Sequence, residues 1–155
     1  MWTCFSSTVW CIVLVLPPTL FAQNKTRFTV LPESAGEEAT RLCSGPLRFD
    51  GTWKPKNADV KSIESHLRRV SDLRNVSGRH IEHPAQYYRQ YIGIIVNNRK
   101  LIYINAFCAS DWAISQGKRH LKHLFNICDG GSCFWGAVYD VASRQFSELR
   151  INGSG

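Results

Sequence analysis

The residues best suited to chemistry lie in the C-terminal third of the chain. His120 and His123 form an H-x-x-H pair, and Cys128 and Cys133 form a C-x-x-x-x-C pair. Imidazole and thiolate groups are zinc ligands, so this pattern could hold a zinc ion. The spacing fits no well-defined zinc motif, however, and in an oxidising compartment disulfides compete for the thiols. We therefore expect a surface histidine pair, with no metal and no cofactor.

Two catalytic arrangements can also be drawn from the sequence. A cysteine nucleophile would need a thiolate and a base such as His123, but an even number of exported cysteines is typical of disulfides. Asp111, Asp129 and Asp140 could supply the paired carboxylates of a glycosidase. Asp129 and Asp140 stand at predicted turns, where aspartate has a backbone role. The sequence contains no G-x-S-x-G, H-E-x-x-H or P-loop motif, so we assign no catalytic residue.

The N-terminal residues indicate the compartment. Residues 1–22 contain no Lys, Arg, Asp or Glu, and an apolar run from Val9 to Leu16 precedes Pro17-Pro18 and Ala22. This pattern predicts a signal peptide over 1–22, since the run is shorter than the ~20 residues that span a bilayer. A membrane anchor is the alternative. We expect a secreted or periplasmic protein with a single domain over 23–155 and no transmembrane segment after cleavage.

Cleavage after Ala22 would remove two of the six cysteines and leave four, which permit three disulfide connectivities. Cys108 ends one predicted strand and Cys133 begins another, so neighbouring strands could bring this pair together. Cys43, which precedes the predicted core helix, would then pair with Cys128. A Cys128–Cys133 link across their own turn is the rival pairing.

The elements that would position these residues are one helix and several strands. Apolar residues at spacings of three and four predict an amphipathic helix from Ala58 to Leu73. Strand patterns follow at 87–96, 99–108, 121–128, 133–140 and 145–151. Residues 23–32 are expected to be a mobile leader. The predicted fold class is α+β, with one long amphipathic helix packed on an antiparallel meander sheet of about five strands, and it resembles the cystatin-like or NTF2-like arrangement.

The first two predicted strands have apolar residues on both faces. Asn97-Asn98 would form a two-residue turn, which places Ile94 opposite Leu101 and Ile92 opposite Tyr103. A sheet with one face in water should instead alternate with polar residues. One helix covers only one face. The other face must therefore meet residues 23–50 of the same chain, a second subunit or a ligand.

The more specific interpretation is that a partner binds this face beside the turn that follows the third predicted strand. Its glycines allow close approach of a partner's backbone, and its two aromatic residues could act as anchors. The predicted binding residues are Asp129, Gly130, Gly131, Phe134 and Trp135.

The charge of the chain suggests which partners to expect. Lys and Arg number 19 against 12 Asp and Glu, which gives a net charge of +7. Such a charge favours an acidic protein or an anionic envelope component. The basic residues are scattered rather than clustered, which argues against nucleic acid. A homodimer would also be compatible with the second apolar face.

Several short segments occur in order along residues 43–153. They are Cys43-Ser44, Trp53-Lys-Pro55, Arg89-Gln-Tyr91, Tyr103-Ile-Asn-Ala-Phe107, Cys128-Asp-Gly-Gly131, Phe134-Trp-Gly136 and Asn152-Gly153. In combination they resemble a group of small exported bacterial proteins to which no activity is assigned. The resemblance implies a bacterial, exported single domain and implies no catalytic residues.

These observations predict an exported, non-enzymatic binding or inhibitor-like domain. One alternative is a hydrolase whose site follows no known motif. The other is an envelope protein that its positive charge holds on an anionic surface.

Overall fold

The computed structural model describes residues 27–46, 48–108 and 117–153, so the predicted signal peptide lies outside the described residues. The strands are β1 (Phe28–Val30), β2 (Gly51–Trp53), β3 (Tyr88–Val96), β4 (Arg99–Phe107), β5 (Phe134–Asp140) and β6 (Gln145–Ile151), and the α-helices are α1 (Gly36–Ala39) and α2 (Asn57–His66). Short 3-10 segments lie at Glu33–Ala35, Leu67–Asp72, Pro84–Gln86, Gly117–Leu121 and Gly131–Cys133. In this part of the chain six strands form one sheet in the order β1, β3, β4, β5, β6, and β2 pairs with β3 on the same edge as β1.

The hairpin of β3 and β4 confirms the predicted turn and register. Asn97 and Asn98 have φ angles of 49° and 62°, and positive φ at both central residues is what a type I′ turn requires. Ile94 pairs with Leu101 and Ile92 pairs with Tyr103, as expected. β5 and β6 also fall within one residue of the predicted strands.

The predicted fold class is wrong. The sheet is mixed, because β1 runs parallel to β3, and the helical segments are short. The expected long helix is α-helical only to His66 and then tightens into the 3-10 segment Leu67–Asp72. Side chains of Ser65 and His66 both bond to the Ser62 carbonyl oxygen, and such bonds compete with the regular backbone ladder. The cystatin-like or NTF2-like arrangement of one long helix on a meander therefore does not apply.

Two further segments differ from the prediction. Residues 28–30 of the expected leader form β1, which pairs with residues 89–91 of β3. Residues 121–128 do not form a strand, because side-chain amides in the sheet form hydrogen bonds with backbone groups of this region. Gln90 Nε2 donates to the His120 and His123 carbonyl oxygens, and its Oε1 accepts a hydrogen bond from the Phe125 N–H.

Both faces of the sheet are covered by the chain itself. Tyr91, Ile102, Ile104 and Trp135 lie on the face that packs against α2 and its 3-10 extension, which we call the helix face. On the opposite face, Ile92, Ile94, Tyr103 and Val138 pack beneath Leu31, Ala35, Ala39 and Leu42. We call this second side the N-terminal face. Of the three covers considered from the sequence, the structure shows the one supplied by residues 23–50.

Two disulfides tie these layers together. Cys43 pairs with Cys128 and Cys108 pairs with Cys133, with Cα–Cα distances of 5.1 and 4.8 Å. This is the connectivity that the sequence analysis favoured over a Cys128–Cys133 link. Disulfides are compatible with an oxidising compartment such as that of an exported protein. Within the described ranges, no helix combines the length and apolarity needed to cross a bilayer.

Candidate binding cleft

One end of the sheet gathers most of the residues that the sequence analysis selected. There Phe107 of β4 pairs with Tyr88 of β3 and with Phe134 of β5. The Cys108–Cys133 disulfide joins β4 to β5 at the same place, so we call it the disulfide end of the sheet. Three strand termini and the turn before β5 converge there, and loops at such positions often carry binding residues.

A cleft of about 850 Å³ opens at the disulfide end. Its volume lies within the range of about 300–1,000 Å³ that is usual for small-molecule sites. Ile81 and Tyr87, which pack against the helix-face core, supply apolar surface. The remaining lining residues are mostly polar: Arg27, His80, Glu82, His83, Gln86, Cys108 and Ser132.

Two arginines hold the loop that forms the main wall of this cleft, residues 80–87. Arg27 Nη1 donates to the Gln86 carbonyl oxygen at 2.8 Å, and Arg89 Nη1 donates to the Ala85 carbonyl oxygen at 3.1 Å. Arg89 is only 3% exposed and forms two hydrogen bonds to Glu64 of α2, at 3.1 and 3.0 Å. The wall is thus anchored to β3 and α2, and a ligand would not need to order it.

Tyr91 contacts both partners of the Arg89–Glu64 ion pair beneath the wall. Its hydroxyl donates to Glu64 Oε1 and accepts a hydrogen bond from Arg89 Nε at 3.1 Å. Burial, together with the Glu64 carboxylate, raises the pKa of Tyr91 well above its usual value. The phenol therefore keeps its proton and continues to donate it to Glu64.

The side chains facing the cleft provide more hydrogen-bond donors than acceptors. Arg27 is a permanent cation, His80 and His83 are imidazoles on the wall, and Glu82 is the one carboxylate among the lining residues. Burial and the Glu82 carboxylate raise the pKa of Tyr87, so its hydroxyl also keeps its proton. The arrangement can donate several hydrogen bonds to a polar ligand.

The predicted binding turn borders the cleft through Ser132. Gly130 has a φ of 86°, and a Cβ there would lie 2.6 Å from the Phe134 ring. Glycine at this position is therefore explained by the fold of the turn itself. Asn152 holds the turn by donating from Nδ2 to the Ile127 and Asp129 carbonyl oxygens.

The five predicted binding residues are divided between surface and core. Asp129 and Gly130 are exposed, while Gly131 and Phe134 are half-buried. Trp135 is fully buried on the helix face, 5.6 Å from the Tyr87 ring centroid. Its selection as a surface anchor is wrong, because its side chain points to the core side of β5.

Among the described residues, the histidines, cysteines and aspartates considered as zinc ligands or catalytic groups do not come together in one site. Cys128 and Cys133 belong to different disulfides, so neither thiol is free for zinc or for nucleophilic attack. His123 Nδ1 lies 3.0 Å from Glu38 Oε1 instead. Asp140 accepts hydrogen bonds from the turn that follows β5, in the backbone role expected, and Asp111 lies outside the described residues. Among the described residues, no group of three potential ligands could hold a metal ion.

Sequence reasoning missed the residues that line the cleft. His80, Glu82 and His83 lie between the predicted helix and the first predicted strand, where the sequence predicted no element, and Arg27 lies in the expected leader. The available signal was the concentration of ionisable residues in H-x-E-H a few residues before a strand, since loops often carry binding residues.

Comparison with known proteins gives no family to which the chain could be assigned. It matches no family model, no curated protein and no solved structure.

Proposed function

We propose that this protein is an exported, non-enzymatic binding domain that holds its ligand in the cleft at the disulfide end. The observation that carries the proposal is a cleft of about 850 Å³ whose wall is fixed by Arg27 and by the ion pair of buried Arg89 with half-buried Glu64. A preformed cleft of this size with a few convergent polar groups is typical of small-molecule sites.

Export to the periplasm or the medium is part of the proposal. The apolar N-terminal run and the two disulfides support it, as does the resemblance to exported bacterial proteins. An inhibitor-like or envelope-bound role would use the same exported domain. The cleft favours a ligand-binding role, because neither alternative requires a concave site.

Binding is also favoured over hydrolysis. Acyl transfer by a hydroxyl nucleophile needs a hydroxyl that is hydrogen-bonded to a base. Within the described ranges, such hydrogen bonds join Ser65 to His66 and Tyr91 to Glu64, and none of these four residues lines the cleft. The four described cysteines are all in disulfides.

The proposal can be tested by filling the cleft. Ser132 lines it and is exposed, so Ser132→Tyr should occlude the site without disturbing the core. Ser143→Tyr, at an exposed turn on the opposite end of the sheet, is the matched control. Both variants would be compared with the wild type by titrating a library of small polar fragments and recording backbone amide chemical shifts.

We expect fragments to shift the amides of residues 80–87 in the wild type and in Ser143→Tyr. In Ser132→Tyr the affinity should fall about tenfold or more, since a bulky side chain competes for the same volume. If no fragment shifts these amides, or if Ser132→Tyr binds as well as the wild type, the cleft is not a ligand site.

A further inference from the structure

We infer that the ligand of this cleft is a small oxyanion, a molecule that presents a carboxylate or phosphate group to Arg27 and to the histidines of the wall. This inference rests on the proposed function, because it names the class of ligand that the same cleft would bind.

The hydrogen-bonding capacity of the lining side chains is the first support. A guanidinium has five N–H donors, and Arg27 uses Nη1 to bind the Gln86 carbonyl oxygen. That bond orients the group while leaving other donors for a ligand. Carboxylates and phosphates accept two parallel hydrogen bonds from such a fork, and these charge-assisted bonds are stronger than neutral ones.

Further donors line the same space. Tyr87 keeps its phenolic proton, Gln86 carries an amide NH₂, and Ser132 carries a hydroxyl. An oxyanion with two or three oxygens can accept from several of these groups together. A cation would find one carboxylate, Glu82, beside the permanent positive charge of Arg27.

The charge of the whole molecule acts in the same direction. The net charge of +7 attracts anions and repels cations over distances longer than a hydrogen bond. Free ligand would be concentrated near the protein at low ionic strength, and the cleft would then supply the specific contacts.

The test compares three probes on the disulfide-bonded protein: inorganic phosphate, citrate and glucose. Binding would be measured by calorimetry at low ionic strength, and the site by amide chemical shifts of residues 80–87. Arg27→Gln removes the guanidinium that lines the cleft. Arg41→Gln, which lies exposed on the opposite side of the sheet, makes the same change in net charge.

A second pair of variants consists of one that should raise the affinity for anions and its control. Glu82→Gln removes the carboxylate that opposes an anion in the cleft, and Glu37→Gln removes an exposed carboxylate elsewhere. We expect Arg27→Gln to weaken binding of the anions about tenfold and Glu82→Gln to tighten it severalfold. Arg41→Gln and Glu37→Gln should change it by less than about twofold.

Each outcome decides the inference. Binding of phosphate, of citrate or of both at the cleft, with the expected response to Arg27→Gln and Glu82→Gln, supports it and identifies the oxyanion preferred. If Arg27→Gln and Arg41→Gln weaken binding equally, net charge is responsible and the inference fails. If glucose or neutral fragments shift the amides of residues 80–87 while the anions do not, the inference fails and the proposed function stands. If no probe and no fragment binds, both fail.

Discussion

The indole of Trp135 occupies the helix face of the sheet, where it contacts the Tyr87 ring edge-on and is excluded from water. Replacing it with Ala should lower the free energy of unfolding by about 3–5 kcal/mol, because the surrounding core would keep a large cavity. Trp135→Phe should cost less. The indole N–H has no hydrogen-bond partner among the described residues, so its removal leaves no acceptor unpaired.

Urea denaturation of both variants would measure these costs, with Ser132→Ala as an exposed control that should match the wild type. A Trp135→Ala variant that melts like the wild type would show that the indole is not a core residue. The alternation along β5 already indicates the outcome, since Trp135, Ala137 and Tyr139 share one face. The adjacent glycine turn obscured this pattern, because a turn suggests exposure.

Glu38 connects α1 to the loop that follows Gly117–Leu121. Its carboxylate accepts hydrogen bonds at 3.0 Å from His123 Nδ1 and at 2.9 Å from the Leu124 N–H. Partial burial raises the pKa of Glu38, but these hydrogen bonds and the nearby positive charges outweigh it, so the pKa lies below its usual 4.5. The ionised carboxylate therefore stabilises the folded state above that pH, and the contribution is lost as pH falls through the folded pKa.

Glu38→Gln should accordingly be less stable than the wild type at neutral pH, and the difference should narrow as the pH falls below about 4.5. Thermal unfolding across this range would measure it. Glu37→Gln, at the exposed neighbouring position, should follow the wild type throughout. A Glu38→Gln deficit that is the same at neutral and acidic pH would show that shape, not ionisation, matters at this position.

Elements that pair with a neighbouring segment of the chain could be predicted from the sequence, whereas elements that pair with a distant segment could not. The register of the β3–β4 hairpin could be predicted, because Asn97-Asn98 fixes the length of the turn. Successive side chains alternate between the two faces of the sheet, which then fixes the face of each residue. β1 was missed, because its three residues show no period and its parallel partner lies about 60 positions later. Residues 121–128 have a strand-like composition, but their backbone groups bond to Gln90 and Asn105, which no local pattern reveals.

The cleft was missed for the same reason, since Arg27 and Ser132 come together only in the folded sheet.

The two disulfides have different consequences for the folded chain. Cys43–Cys128 connects the segment covering the N-terminal face to the loop before β5, across a sequence separation of 85 residues. Cys108–Cys133 spans 25 residues and lies at the disulfide end, where Cys108 lines the cleft. The first should therefore matter more for stability, and the second more for ligand binding.

Removing each disulfide by a pair of Cys→Ala substitutions would separate these effects. Chain entropy predicts a loss of about 4.5 kcal/mol without Cys43–Cys128 and about 3.5 kcal/mol without Cys108–Cys133, because the longer loop restrains the unfolded chain more. The amides of residues 80–87 should respond to probes normally in the first variant and weakly in the second. If the variant without Cys108–Cys133 is the less stable of the two, contacts in the folded state outweigh chain entropy. If it also binds probes as the wild type does, this disulfide has no part in shaping the cleft.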